Sequence, residues 1–130
     1  MSAQYIKKYP KGLDKKLSEN FHLREFDCKC DQCTETIVDM VHVARLEQLR
    51  RELNKPIKIT SGYRCKDHNY NVGGAKGSQH VLGTATDIAL TAIDENKLKR
   101  IFPGVILYDT FTHLDSRYTA KIFLDKRNKH

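Results

Sequence analysis

One stretch restricts the fold more than any other: Ser78-Gln79-His80-Val81-Leu82-Gly83-Thr84-Ala85-Thr86-Asp87-Ile88. It sets an imidazole and a carboxylate seven positions apart, with Gly83 between them and a β-prone run over residues 84–90 carrying the acid. His and Asp are both good Zn²⁺ ligands, and a zinc site that does chemistry takes three protein ligands and keeps one position open for water. The chain must therefore deliver a third ligand to the first two. Phe111-Thr112-His113-Leu114-Asp115 offers one, on a second β-like run where His113 and Asp115 share a face because side chains alternate along a strand.

The pattern Ser-x-His-x-x-Gly-x-Ala-x-Asp, matched by Ser78, His80, Gly83, Ala85 and Asp87 with His113 downstream, resembles that of zinc peptidases that cut bacterial peptidoglycan peptides. These are the D-alanyl-D-alanine carboxypeptidases, the vancomycin-resistance D,D-dipeptidases and certain phage endolysins. Asn20-Phe21-His22-Leu23-Arg24-Glu25-Phe26, and Ser61-Gly62-Tyr63-Arg64 with Asn69, Gly73 and Gly74, extend the likeness over residues 20–117. The resemblance implies a catalytic Zn²⁺ held by His80, Asp87 and His113, and hydrolysis of stem peptides by a zinc-bound water. It also implies that Arg64 sits beside the metal, binds a substrate carboxylate or carbonyl and stabilises charge. A planar fork of donors suits that task better than an ammonium does. Ser78 is a candidate for binding substrate, with a local turn-stabilising role as the alternative. The D,D-dipeptidases carry Glu-x-x-His, whereas the residue three before His113 is Thr110. The candidate general bases are therefore Asp109, in the preceding loop, and Asp115. Asp109 is favoured as the base and Asp115 as a partner that orients an imidazole.

Cys28, Cys30, Cys33 and Cys65 are the four cysteines, the last directly after Arg64. Residues 1–16 are polar and lysine-rich, with no apolar core of a secretory signal, so the expected place of synthesis is the cytoplasm. Thiols there are more often reduced or metal-bound than disulfide-linked. The spacing is not a pair of Cys-x-x-Cys knuckles, so a second, structural zinc, free thiols and one or two disulfides all stay open.

With 130 residues there is room for a single domain with a modest core. The expected division is a basic arm at 1–19, a zinc peptidase domain at 20–125 and a basic tail at 126–130. A net charge of +7 suits a polyanionic neighbour, nucleic acid or an anionic cell wall, or simply a soluble surface. No apolar run is long enough to span a membrane. The Gly73, Gly74 and Gly77 loop lacks the Gly-Lys-Ser/Thr ending of a nucleotide site. The expectation is a monomer acting on wall peptides and not on nucleic acid, reaching the wall when released, as a phage-encoded enzyme does.

Apolar residues stepping by three or four predict a helix over residues 36–53, with His42 on its apolar stripe as a packed structural histidine. His68 is expected in solvent, and Asn69 as a brace of its loop. Further readings are a helix over 92–102 and strands near 57–60, 84–90, 105–108, 111–115 and 119–124. The fold class is α+β: a small, mostly antiparallel sheet with helices on one face and a zinc cleft on the other, similar to the hedgehog and D,D-peptidase fold. Two alternatives to an active peptidase are a catalytically inactive zinc-fold binding module and a nucleic-acid-binding protein with a cysteine knuckle.

Overall fold

The structure, a computed structural model, describes residues 5–128; of the expected arm and tail, residues 1–4, 129 and 130 lie outside the described residues. In chain order the elements are β1 (Ile6–Pro10), a 3-10 turn (Leu23–Phe26), β2 (Glu35–Asp39), α1 (Met40–Leu53), β3 (Ile59–Ser61), α2 (Lys66–Asn71), α3 (Gln79–Leu82), β4 (Ala85–Ile88), α4 (Glu95–Ile101), β5 (Gly104–Leu107), β6 (Thr112–Asp115) and β7 (Ile122–Asp125). They form a mixed α/β domain with a two-stranded sheet, β1-β2, and a five-stranded sheet in the order β3-β4-β6-β5-β7. In the larger sheet β5 and β7 run parallel and the other neighbours antiparallel.

The helix expected over 36–53 begins later, because residues 35–39 are strand β2. Thr36, Ile37 and Val38 are β-branched and suit a pleated surface. The segment read as a basic arm supplies the partner: Ile6–Pro10 pairs antiparallel with β2, Ile6 opposite Asp39 and Pro10 opposite Glu35. Asp39 then caps α1, its carboxylate accepting from the Val41 amide at 2.8 Å. Asn54 ends the helix in the left-handed conformation, at φ 52°. Two short stretches expected as loop are helical, α2 and α3.

The core follows from which faces these elements bury. On α1, Val43, Leu46 and Leu49 join Phe21, Leu23 and Phe26 around the 3-10 turn, Leu98 and Ile101 of α4, and Ile59, Ile88, Val105, Leu107 and Leu114 of the sheet. Each such side chain contributes about 1.5–3 kcal/mol on leaving water. Glu47 is also buried on α1, and its carboxylate accepts from the Asn20 amide and side chain, both at 2.7 Å, and from Ser18 Oγ. Burial pushes its pKa up, but these donors outweigh it and the net shift is down. His42 is packed as expected, Nδ1 2.7 Å from Ser116 Oγ and Nε2 2.9 Å from Thr86 Oγ1. Burial pulls its pKa down to about 3, so it is a neutral core residue.

Register decides what the other face of the sheet carries. Ser61, Asp87, His113 and Ile106 lie opposite one another in one row, and Ala85, Asp115 and Gly104 in the next. Directly opposed residues share a face. Thr86, Leu114 and Val105, one position along each strand, turn to the core.

Candidate metal centre and cleft

His80 reaches the sheet from α3, one turn of helix held at both ends. Ser78 Oγ accepts from the His80 amide at 3.2 Å and caps its start. Gly83 closes it at φ 80°, where a Cβ would lie 2.6 Å from the Ile37 carbonyl oxygen. Conformation and contact both require glycine there. Thr84 Oγ1 bonds back to Gln79 Oε1 at 2.7 Å, and Asp87 follows on β4.

These elements bring His80, Asp87 and His113 together, all buried, with one potential ligand atom from each lying within 4.8 Å of the others. Asp87 Oδ1 is 3.3 Å from His80 Nε2 and 3.1 Å from His113 Nδ1. Tetrahedral nitrogen and oxygen ligands around zinc stand about 3.4 Å apart, so both spacings suit one ion. The remaining ring nitrogens are engaged. His80 Nδ1 lies 2.7 Å from the Gly62 carbonyl oxygen and donates to it, which leaves the Nε2 lone pair for an ion. His113 Nε2 lies 2.8 Å from Asp115 Oδ2 and donates to it, which leaves Nδ1 for an ion. Imidazoles that ligate metals are fixed in this way by carbonyl or carboxylate partners. The donor set therefore fits zinc.

Charge pairing within the cluster shifts both carboxyls and His113. Burial pushes the Asp87 carboxyl up, but the His113 and His80 rings against it outweigh that and hold it well below the usual carboxylate range. Asp115 is depressed in the same manner, against burial, by His113 and Arg117. Burial lowers His113, while Asp115 and Asp87 raise it further, for a net rise. Arg64 grips the far side of Asp87: Nη2 lies 3.3 Å from Asp87 Oδ2, Nε 3.2 Å from Ser61 Oγ and Nη1 3.2 Å from Asn69 Oδ1. Asn69 is buried and donates to the Ala75 carbonyl at 3.0 Å, bracing the loop between α2 and α3.

The structure does not bring Asp109 to this cluster. It is exposed, and its carboxylate accepts from the Asn128 amide at 3.0 Å. Asp115 is fully buried and its oxygens are taken by His113 and by Arg117, whose Nε and Nη2 lie at 2.8 and 2.7 Å. Sequence reasoning missed Arg117. The signal was present, since His113, Asp115 and Arg117 continue one alternation of two.

A cavity of about 500 Å³ opens over the cluster. Arg64, Ser78, His80, Asp87 and His113 line it, together with Tyr108, Phe111, Arg117 and Lys126, whereas Asp109 and Asp115 do not. Tyr108 and Phe111 stack at 4.4 Å between centroids and make an apolar wall beside the three cations. Another cleft, of about 670 Å³, lies between the Cys30 turn and α2; His68, half-buried rather than in solvent, lines it. It includes none of the three clustered residues. The four cysteines also lie together, with no disulfide among them. Among the described residues no helix is long and apolar enough to cross a membrane.

The family model described as Peptidase M15 matches residues 19–118 of the chain. No curated protein matches it.

Proposed function

We propose, from the premise that this chain belongs to the peptidase M15 family, that it is a zinc peptidase acting on peptidoglycan stem peptides, as a D,D-carboxypeptidase or an endolysin-type endopeptidase. His80 Nε2, Asp87 Oδ1 and His113 Nδ1 would hold the ion. The observation that carries this reading is the pair of engaged nitrogens, His80 Nδ1 on Gly62 and His113 Nε2 on Asp115, which leaves both lone pairs beside Asp87. When bound, zinc supplies a Lewis acid for the scissile carbonyl and lowers the pKa of its water.

Arg64 carries five donors and spends three of them on Ser61, Asn69 and Asp87, so two remain for a substrate carboxylate or carbonyl. It both positions Asp87 and presents positive charge where an oxyanion develops. Arg117 and Lys126 add cations to the same cavity, which suits a peptide ending in a carboxylate. Tyr108 and Phe111 would flank its aliphatic side chains. Ser78 caps α3 and lines the cavity, so its hydroxyl serves the loop first. We assign neither Asp109 nor Asp115 as general base; Asp115 orients His113.

That last point favours a second reading. Among the described residues lining the cavity, Asp87 is the one carboxylate, so no second acid stands ready to accept a proton from water. A binding module that keeps the zinc fold without turnover would look the same. Incubation of the zinc-loaded chain with purified peptidoglycan and with D-Ala-D-Ala-terminated peptides separates the two. Released D-alanine identifies a carboxypeptidase, and soluble peptide fragments an endopeptidase, both abolished by His80→Ala. Saturable binding without product on several wall chemistries would defeat the peptidase reading.

A further inference from the structure

The four cysteines come from three separate places. Cys28 follows the 3-10 turn, Cys30 and Cys33 sit on the bend before β2, and Cys65 caps α2, its sulfur 3.4 Å from the His68 amide. Their sulfurs nevertheless converge: Cys30 to Cys33 is 3.3 Å, Cys30 to Cys65 3.8 Å and Cys28 to Cys65 3.9 Å. Four thiolates about 2.3 Å from a tetrahedral zinc are about 3.8 Å apart, while a disulfide would need about 2.0 Å. The donors around the cluster point at sulfur. The Cys33 amide lies 3.4 Å from Cys30 Sγ and the Cys65 amide 3.4 Å from Cys28 Sγ. Lys11 Nζ lies 3.6 Å from Cys33 Sγ and 3.8 Å from Cys30 Sγ. Amides and an ammonium stabilise charged sulfur, whereas a packed set of neutral thiols has little use for them.

We propose that Cys28, Cys30, Cys33 and Cys65 hold a structural Zn²⁺, separate from the cavity over His80, Asp87 and His113. Four sulfur ligands close the coordination sphere and leave no position for water, as in sites that stabilise rather than react. A set of four thiolates suits zinc or iron, and zinc is the ion expected here. Each thiol loses its proton to solvent on binding, and Lys11 offsets part of the excess negative charge. The site's work is mechanical. It ties the bend at 28–33 to the turn holding Arg64, along a seam already joined by the Tyr63 amide and the Phe26 carbonyl at 2.8 Å. Arg64 is the residue next to Cys65 and is bonded to Asp87, so the cysteine centre positions the guanidinium of the other site.

The test uses the full chain carrying His80→Ala and His113→Ala, purified under reducing conditions, and needs no cleavage assay. The expected result is one zinc per chain, released in one equivalent when a mercurial reagent titrates the thiols. Cobalt exchanged into the wild-type chain should give near-ultraviolet sulfur-to-cobalt charge transfer and intense visible bands, a readout that survives if a cysteine variant fails to fold. No zinc in the double variant, thiols that react freely in the native chain, or iron in zinc's place would each overturn the proposal. A wild-type chain that cleaves nothing yet shows the sulfur-to-cobalt bands would leave this centre standing while the peptidase reading falls.

Discussion

Replacing Gly104 with alanine should disable a site that residue 104 does not touch. Gly104 faces Asp115 across β5 and β6, and a Cβ there would lie 2.0 Å from Asp115 Oδ1 and 2.3 Å from Cγ and Oδ2. Non-bonded heavy atoms rest at about 3.5 Å, so the carboxylate must withdraw by more than about 1 Å. Its bond to His113 Nε2 is 2.8 Å, and stretched by that amount it is no longer a hydrogen bond. Gly104 is not among the residues with positive φ, so the effect comes from the added methyl and not from backbone strain. Overpacking of this kind costs about 1–3 kcal/mol of stability. Loss of a carboxylate partner behind a metal-bound imidazole lowers metal affinity about 10–100-fold. Urea unfolding measures the first, and competition with a chromophoric chelator the second, read on the ion that His80→Ala removes. Asp115→Asn keeps the size and removes the charge. Its affinity loss should add little to that of Gly104→Ala, because both act through His113. Zinc binding at wild-type strength in Gly104→Ala, with stability reduced, would refute the role given to Asp115.

Three further outcomes are expected. The His42 pKa is about 3 in the fold and about 6.5 unfolded, so the unfolded chain binds the extra proton between those values and stability falls as pH drops below about 6.5. At about pH 5 this residue alone costs about 2 kcal/mol, and chemical unfolding of His42→Gln against pH should be flatter by that amount; parallel curves would rule the assignment out. Arg64→Lys cannot span Ser61, Asn69 and Asp87 with one ammonium, and turnover on stem peptides should drop about 10²-fold with the far-ultraviolet spectrum unchanged. Asp39→Ala removes the cap of α1 and leaves the Tyr118 hydroxyl, now 2.6 Å from Asp39 Oδ2, without its acceptor. A loss of about 2–3 kcal/mol in urea is expected, and a change below about 0.5 kcal/mol would show that neither bond matters.

What the sequence made legible was the part governed by alternation and spacing. The strands bearing Asp87 and His113 could be read within two or three residues, because β4 and β6 are short β-prone runs bounded by turn residues. Residues 36–39 fall in the expected helix because Ile37, Val41 and Ala44 also fit a helical stripe, and the β1 partner that decides the matter lies some thirty residues earlier. Helices α2 and α3 span six and four residues, too few to show a period of 3.6; their signals were the caps Cys65 and Ser78. Asp109 looked near to His113 in sequence. Its turn between β5 and β6 sends the carboxylate to Asn128 instead, and sequence proximity says nothing about that direction. Arg117 lay past the end of β6, where the same alternation continues to Asp115 and one step beyond.

The pairing of Asp87 with His113 across β4 and β6 has a consequence for how the chain folds. A slip of one residue between these strands would turn one ligand toward the core and bring Thr86 or Leu114 to the cleft. An ion that needs both side chains can bind only the correct alignment, and at a free concentration of 100 times its dissociation constant it favours that alignment by about 2.7 kcal/mol. Asp87 and His113 are 26 residues apart in the chain, so no tight turn between β4 and β6 fixes their register. Zinc would act here as a proofreader of strand alignment before it takes part in any reaction.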